Sequence, residues 1–231
     1  MNLKPLARWT GAAYLVLAIA GGFSFVGARG QLYVAADPAA TLANLTAHHD
    51  LAVIGLLAEV ITVIAQALAA LGFYALMRRD HPTAAFGVAA FGLANAIAIM
   101  MSAAFNATAL AVVTDPAIAA GGDAAATVGL LYALSGACWT LGNIFFGLWL
   151  IPMGWFATST RRFPKVLGWF LIAGGIGYLL GALVGVVAPE LGSTLGNLLP
   201  LPATVGELWM IGYLLVRGIR PAVISSTTAA V

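Results

Sequence analysis

Charged residues are scarce in this chain of 231 residues, at 8% against about 25% in an ordinary soluble domain. A soluble core this apolar would lack the polar surface to cover it, which excludes disorder, a coiled coil and almost any soluble enzyme. Cysteine occurs once, at Cys138, so there is neither an intrachain disulfide nor a cysteine-ligated cluster. Three histidines, His48, His49 and His81, cannot supply two bis-histidine haems. The lysines, Lys4 and Lys165, both lie near segment ends, which argues against a Schiff base in mid-membrane. Neither a GxxxxGKS/T nor a GxGxxG run occurs, so nothing cradles a nucleotide. The net charge of +2 is not spread like a nucleic-acid surface, because the basic residues sit at segment ends.

What is abundant is apolar: 62% of residues are hydrophobic and the mean hydropathy is +1.00. These values predict an all-α, polytopic membrane helical bundle, a single domain over residues 1–231. A crossing helix needs about 20 apolar residues. Six stretches qualify, about 9–29, 51–77, 83–112, 126–157, 163–187 and 198–217. Lys4, Arg8, Arg78, Arg79, Arg161, Arg162, Lys165, Arg217 and Arg220 all fall on one side, and Arg29 alone falls on the other. This asymmetry places both termini in the cytoplasm and the chain in the inner cell membrane. Val34-Ala35-Ala36 loosely fits a leader-cleavage site, but the long apolar run and Arg29 favour a retained first span.

Short signals organise the loops. Asp37-Pro38 combines a capping side chain with a first-turn proline and predicts an interfacial helix over about 38–48. Asp115-Pro116 repeats the device, and Gly121-Gly122 then breaks the chain. Gly177, Gly181 and Gly185 let a neighbouring helix approach closely. The tail Ser225–Val231 is expected to fray. The two halves show no repeat.

Glu59 and Glu207 are the acids inside the expected spans. Charge at the bilayer centre costs about 2.5–3.5 kcal/mol or more, so such groups default to function. Each lies about nine residues below the external start of its span, roughly 13 Å deep at 1.5 Å per residue. The two carboxyls could share one site, one donating a proton and the other stabilising positive charge. The structural alternative is that each hydrogen-bonds a neighbouring helix and fixes packing. Glu59, Thr62 and Gln66 share a face, and His48 joins it if the helix is continuous. Asn95, Ser102 and Asn106 form a second stripe, and Ser135, Trp139 and Asn143 a third. Three stripes imply one polar-lined cavity. Phe105, Trp139, Tyr178 and Trp209 sit at related depths and could hold a cation or an apolar chain. His48-His49-Asp50 with Glu59 has poor geometry for a metal, because adjacent ligands on a helix diverge by about 100°. Arg29 is expected to pair with Asp37 or Asp50 at the external rim in a structural role.

Several segments look familiar together: Arg29-Gly30-x-x-Tyr33 with Asp37 and Thr41-x-x-Asn44, Phe145-Phe146-Gly147-Leu148, Arg162-Phe163-Pro164-Lys165-Val166-Leu167-Gly168, and Gly206-Glu207 followed by Leu214-Leu215-Val216-Arg217-Gly218. In this order they resemble a bacterial membrane family known only as domain of unknown function 4386. The resemblance covers nearly the whole chain. It implies a six-helix fold, with an acid at the position of Glu59 and a glutamate at that of Glu207, and no established activity. His48-His49-Asp50 departs from its plainer polar approach. A second likeness is one of logic: small integral-membrane terpene cyclases also place an acidic pair in a cavity at lipid level.

The leading expectation is therefore an intramembrane acid–base enzyme acting on an isoprenoid or similar lipid, a proton-initiated cyclase or isomerase. Glu59 and Glu207 would be catalytic. Asn106, Trp139, Tyr178, Trp209, Phe105, Ser102, Asn143 and Gln66 would line the substrate pocket, with no cofactor and no metal. The alternative is a proton-coupled transporter or exporter subunit using the same acids, which would favour a homo-oligomer. The third is a lipid-binding or assembly protein whose acids are structural. Expected partners are membrane lipids and a hydrophobic small molecule, and not nucleic acid.

Overall fold

Apolar runs without water must satisfy every backbone N–H and C=O within the segment, which leaves the helix as their structure. The computed structural model describes residues 3–188, 191, 195, 196 and 198–221. Its main helices are α1 Lys4–Leu32, α2 Pro38–Ala47, α3 His49–Met77, α4 Pro82–Thr114, α5 Ala124–Thr160, α6 Lys165–Val187 and α7 Leu201–Val216. The described residues contain no strand. Five helices, α1, α3, α4, α5 and α6, are long and apolar enough to cross a membrane. Each corresponds to one expected span, and together they mark a multi-pass membrane protein. The run expected over 198–217 forms a shorter helix of 16 residues, about 24 Å long. Pro200 and Pro202 restrict its start. Gly218, at φ 76°, ends it by donating to the Tyr213 carbonyl at 3.0 Å. Ser225–Val231 lies outside the described residues.

The polarity of α3 is the reverse of a soluble helix. Ile54, Leu57, Ile61, Ile64 and Leu68 are exposed, whereas Glu59, Thr62 and Gln66 are buried. The Asp37 carboxylate accepts from the Ala40 N–H at 2.8 Å and Pro38 opens α2, as the sequence predicts. Asp115-Pro116 is different: the cap forms, but only a 3₁₀ turn, Pro116–Ile118, comes after it. Gly121 and Gly122 then turn the chain at positive φ, and Asp123 caps α5 through the Ala126 N–H. The helix is not continuous through His48. That residue sits at φ −119°, ψ 43° between α2 and α3, is exposed, and so leaves the polar stripe.

The chain divides into two compact units. One comprises residues 13–70 and 91–146. Its apolar core includes Ala28, Leu32, Leu45, Ala52, Leu110, Val128 and Tyr132. The other comprises 1–12, 71–90 and 147–231, and glycine organises it. A methyl on Gly147 would come within 2.6 Å of the Gly175 carbonyl oxygen, and one on Gly154 within 2.5 Å of the Gly168 carbonyl oxygen. A step of seven along α5 thus matches a step of seven back along α6, an antiparallel contact made backbone to backbone. On its other side α6 meets α7 and the segment before it: Gly174 abuts the Ala203 backbone of α7, and Gly177 the Leu199 carbonyl just ahead of it. Gly181 approaches Gly196, but Gly185 faces open space, so the expected glycine stripe packs at two of its three positions. Arg162 joins two loops of this unit. It pairs with Asp80 at 2.6 Å and donates to the Arg220 carbonyl at 2.7 Å.

Candidate functional site

Glu59 is 1% exposed, and its carboxylate receives three hydrogen bonds. Ser102 donates to Oε1 at 2.5 Å, the Trp139 indole N–H to the same oxygen at 2.9 Å, and Asn106 Nδ2 to Oε2 at 2.8 Å. Ser102 and Asn106 come from α4, and Trp139 from α5. The carboxyl group is thus the point at which side chains of two other helices converge.

The balancing charge is Arg29. Its Nη1 donates to Ser135 Oγ at 3.1 Å and its Nη2 to the Tyr132 carbonyl at 2.7 Å. Ser135 Oγ lies 2.8 Å from Ser102 Oγ. Because the single Ser102 hydrogen goes to Glu59, Ser135 is the donor in that contact. The result is a directed chain from guanidinium to carboxylate through two serine hydroxyls, both fully buried. The two ends also interact electrostatically. The guanidinium carbon stands 4.5 Å from the Tyr33 ring centroid and 5.4 Å from that of Tyr132, within cation–π range.

Arg29 therefore does not pair with Asp37 or Asp50 at the rim. The backbone before it supplies the reason: Phe23–Ala28 forms a π-helical turn inside α1. The extra residue shifts the helical phase of Arg29 and its successors, a device frequent at functional sites. Gly136 makes room opposite, where a methyl would lie 2.8 Å from Arg29 Nη2. Gly136→Ala is expected to lower stability by about 1–2 kcal/mol through overpacking, measured as thermal unfolding in detergent. In an Arg29→Met background the penalty is expected to disappear; a penalty that persists would mean the methyl meets something other than the guanidinium.

A cavity of about 20 Å³, of the size that holds one water, lies among Arg29, Glu59, Asn106, Tyr132 and the apolar side chains around them. Asn106 Oδ1 has no protein hydrogen-bond partner among the described residues. Gly55 lets α3 approach α1 here, its hypothetical methyl 2.6 Å from the Ala28 Cβ.

Of the residues singled out in the sequence, Glu59, Ser102, Asn106 and Trp139 converge, and Ser135 joins them. Gln66 pairs instead with Asn95 at 3.5 Å, about two turns further along α3. Phe105 and Asn143 are half-buried on α4 and α5. Glu207, Tyr178 and Trp209 belong to the other unit. There Glu207 and Tyr178 interact electrostatically across α6 and α7, and Trp209 is exposed. The residue that sequence reasoning missed as a site member is Arg29. A signal existed: it is the one Lys or Arg in residues 13–70 and 91–146, where Glu59 is the one acid inside a span. Among the described residues no three His, Cys, Asp or Glu side chains could hold a metal ion.

Fold and site together define a multi-pass helical membrane protein with a buried carboxylate–guanidinium centre. The family model for domain of unknown function 4386 matches residues 9–218, and the chain belongs to that family. No curated protein and no solved structure matches it.

Proposed function

We propose that this protein is a proton-coupled small-molecule transporter or exporter subunit in which Glu59 is the proton site and Arg29 its counter-charge. In this reading α7 completes six crossings, and both termini face the cytoplasm of the inner cell membrane. The distribution of the ten basic residues supports that orientation, since Arg29 alone lies on the other side.

The observation that carries the proposal is the saturation of Glu59 by donors from two helices. A proton taken up by the carboxyl turns one oxygen from acceptor to donor. At least one partner must then re-orient: Ser102 by reversing its hydroxyl, Asn106 by flipping its amide, or Trp139, a donor only, by leaving; Arg29 loses its counter-charge. Proton occupancy is thereby linked to the packing of α1, α4 and α5, the two-state coupling that transport needs. The space beside the pair has room for one water, so a transported solute, like a cyclase substrate, requires the site to open.

A second reading, a proton-initiated cyclase or isomerase of an isoprenoid, is favoured by the aromatic rings at the acid: Trp139 bonds Glu59, and its ring lies 5.1 Å from that of Phe25. It requires the site to open more than tenfold, because substrate pockets run to about 300–1,000 Å³.

Proteoliposomes holding an internal pH-sensitive dye, challenged with a panel of small solutes, test the transport reading. Wild type is expected to show solute-dependent proton movement that Glu59→Gln abolishes. Glu207→Gln tells whether the second acid takes part. In parallel, cells at matched membrane levels are fed prenylated precursors and their lipids compared by mass spectrometry. An isomeric product made by wild type and lost in Glu59→Gln would establish the enzyme instead. Indifference to Glu59→Gln in both assays would leave the acid structural and overturn both readings.

A further inference from the structure

Away from the Glu59 site, the start of α1 and the end of α7 border an open surface groove of about 530 Å³ lined by Lys4, Pro5, Arg8, Trp9, Ala12 and Leu215. Lys4, Arg8 and Ala12 succeed one another at four-residue spacing and share a face of α1, and Pro5 and Trp9 share the adjoining one. The lining is therefore graded. Two cations stand at the end nearest the N-terminus, and the walls further along are apolar. Trp9 is 76% exposed, an amphipathic ring of the kind that settles at the headgroup level of a bilayer. The Lys4 stem lies over Gly218, whose left-handed backbone leaves room for it; a methyl there would stand 3.2 Å from Lys4 Cγ. Leu215 is the residue that α7 contributes to the groove wall. Its volume lies within the range of small-molecule sites.

We propose that this groove is a binding site for one acidic phospholipid, the phosphate headgroup held by Lys4 and Arg8 and an acyl chain laid along Trp9, Ala12 and Leu215. Charge complementarity selects the occupant. A zwitterionic lipid brings the same chain but carries a positive group towards two cations. A free anion meets the cations but leaves the apolar walls uncovered. The site is independent of the Glu59 centre and of the transport reading.

The test is native mass spectrometry of the full chain, released from detergent after titration with phosphatidylglycerol or phosphatidylcholine. Wild type is expected to retain one phosphatidylglycerol in preference to phosphatidylcholine. Interfacial bases attract anionic lipid, so the Lys4→Gln/Arg8→Gln double variant is expected to lose that preference by at least about tenfold. Arg78→Gln/Arg79→Gln makes the same charge change on another loop and is expected to leave it intact. Ala12→Trp keeps both cations and fills the apolar end, and is expected to lose phosphatidylglycerol as well. Thermal unfolding of each variant confirms that it is folded. The proposal is overturned if the Lys4/Arg8 variant binds like wild type, or if the Arg78/Arg79 variant loses as much. It is overturned too if inorganic phosphate displaces the lipid at equal concentration, or if Ala12→Trp instead dissolves a dimer that carries no lipid.

Discussion

Replacing Glu59 by alanine is expected to destabilise the protein by about 3–5 kcal/mol, the range seen when one partner of a buried charge pair is removed. Three donors lose their acceptor at once: the Ser102 hydroxyl, the Asn106 amide and the Trp139 indole. A buried donor left unpaired costs about 1–3 kcal/mol. Arg29 also remains, half-buried and without its counter-charge. Glu59→Gln should cost less, because its amide oxygen still accepts while its NH₂ meets one donor head-on. The informative experiment is a double-mutant cycle with Arg29→Met, read as unfolding in detergent. The two ends are joined through Ser135 and Ser102, so the double variant is expected to lose less than the sum of the singles, by about 1 kcal/mol or more. Strict additivity would show that the serine chain carries no coupling, and would remove the support for Arg29 as the counter-charge in the transport reading.

The second large effect is expected at Gly177. Its Cα faces the Leu199 carbonyl so closely that a single methyl cannot be placed without moving backbone. Gly177→Ala should separate α6 from the segment leading into α7 and cost about 1–3 kcal/mol or more, since the obstacle is main chain and has no rotamer to change. Gly185→Ala is the matched control. It lies two turns along the same helix with nothing within 4 Å, and alanine there should stabilise by up to about 1 kcal/mol through helix propensity. The two substitutions are the same in chemistry and are expected to differ in sign. Equal effects on the unfolding midpoint would mean that the close α6 contact does not form in the membrane protein.

Much of this architecture was legible in the linear sequence, for a definite reason. Five apolar runs matched helices because hydrophobic length is itself the physical requirement for crossing a bilayer. Asp37-Pro38 marked the start of α2 because capping and a fixed proline φ act locally. The same local device at Asp115-Pro116 gave only one 3₁₀ turn, because Gly121 and Gly122 leave the helical region a few residues later. The sixth run was read too long, since prolines at its start and a left-handed glycine at its end trim an otherwise apolar stretch. Periodicity placed Ser102 and Asn106 on one face, and Ser135 and Trp139 on another, and all four meet the Glu59 network. It overreached at His48, where a break in the helix ends the phase on which the stripe depended.

The amino-acid sequence by itself determined the class of protein, the apolar segments and the faces on which polar residues recur, because each comes from hydropathy and helical period within one segment. Only the tertiary structure decided which faces meet. Helical period sets the direction of a side chain relative to its own helix and says nothing of that helix's rotation against its neighbours. The π-helical turn at Phe23–Ala28 shifts the phase of α1 so that Arg29 points inward. Glu59 therefore finds its partners among two serines, an asparagine, a tryptophan and an arginine drawn from three other helices.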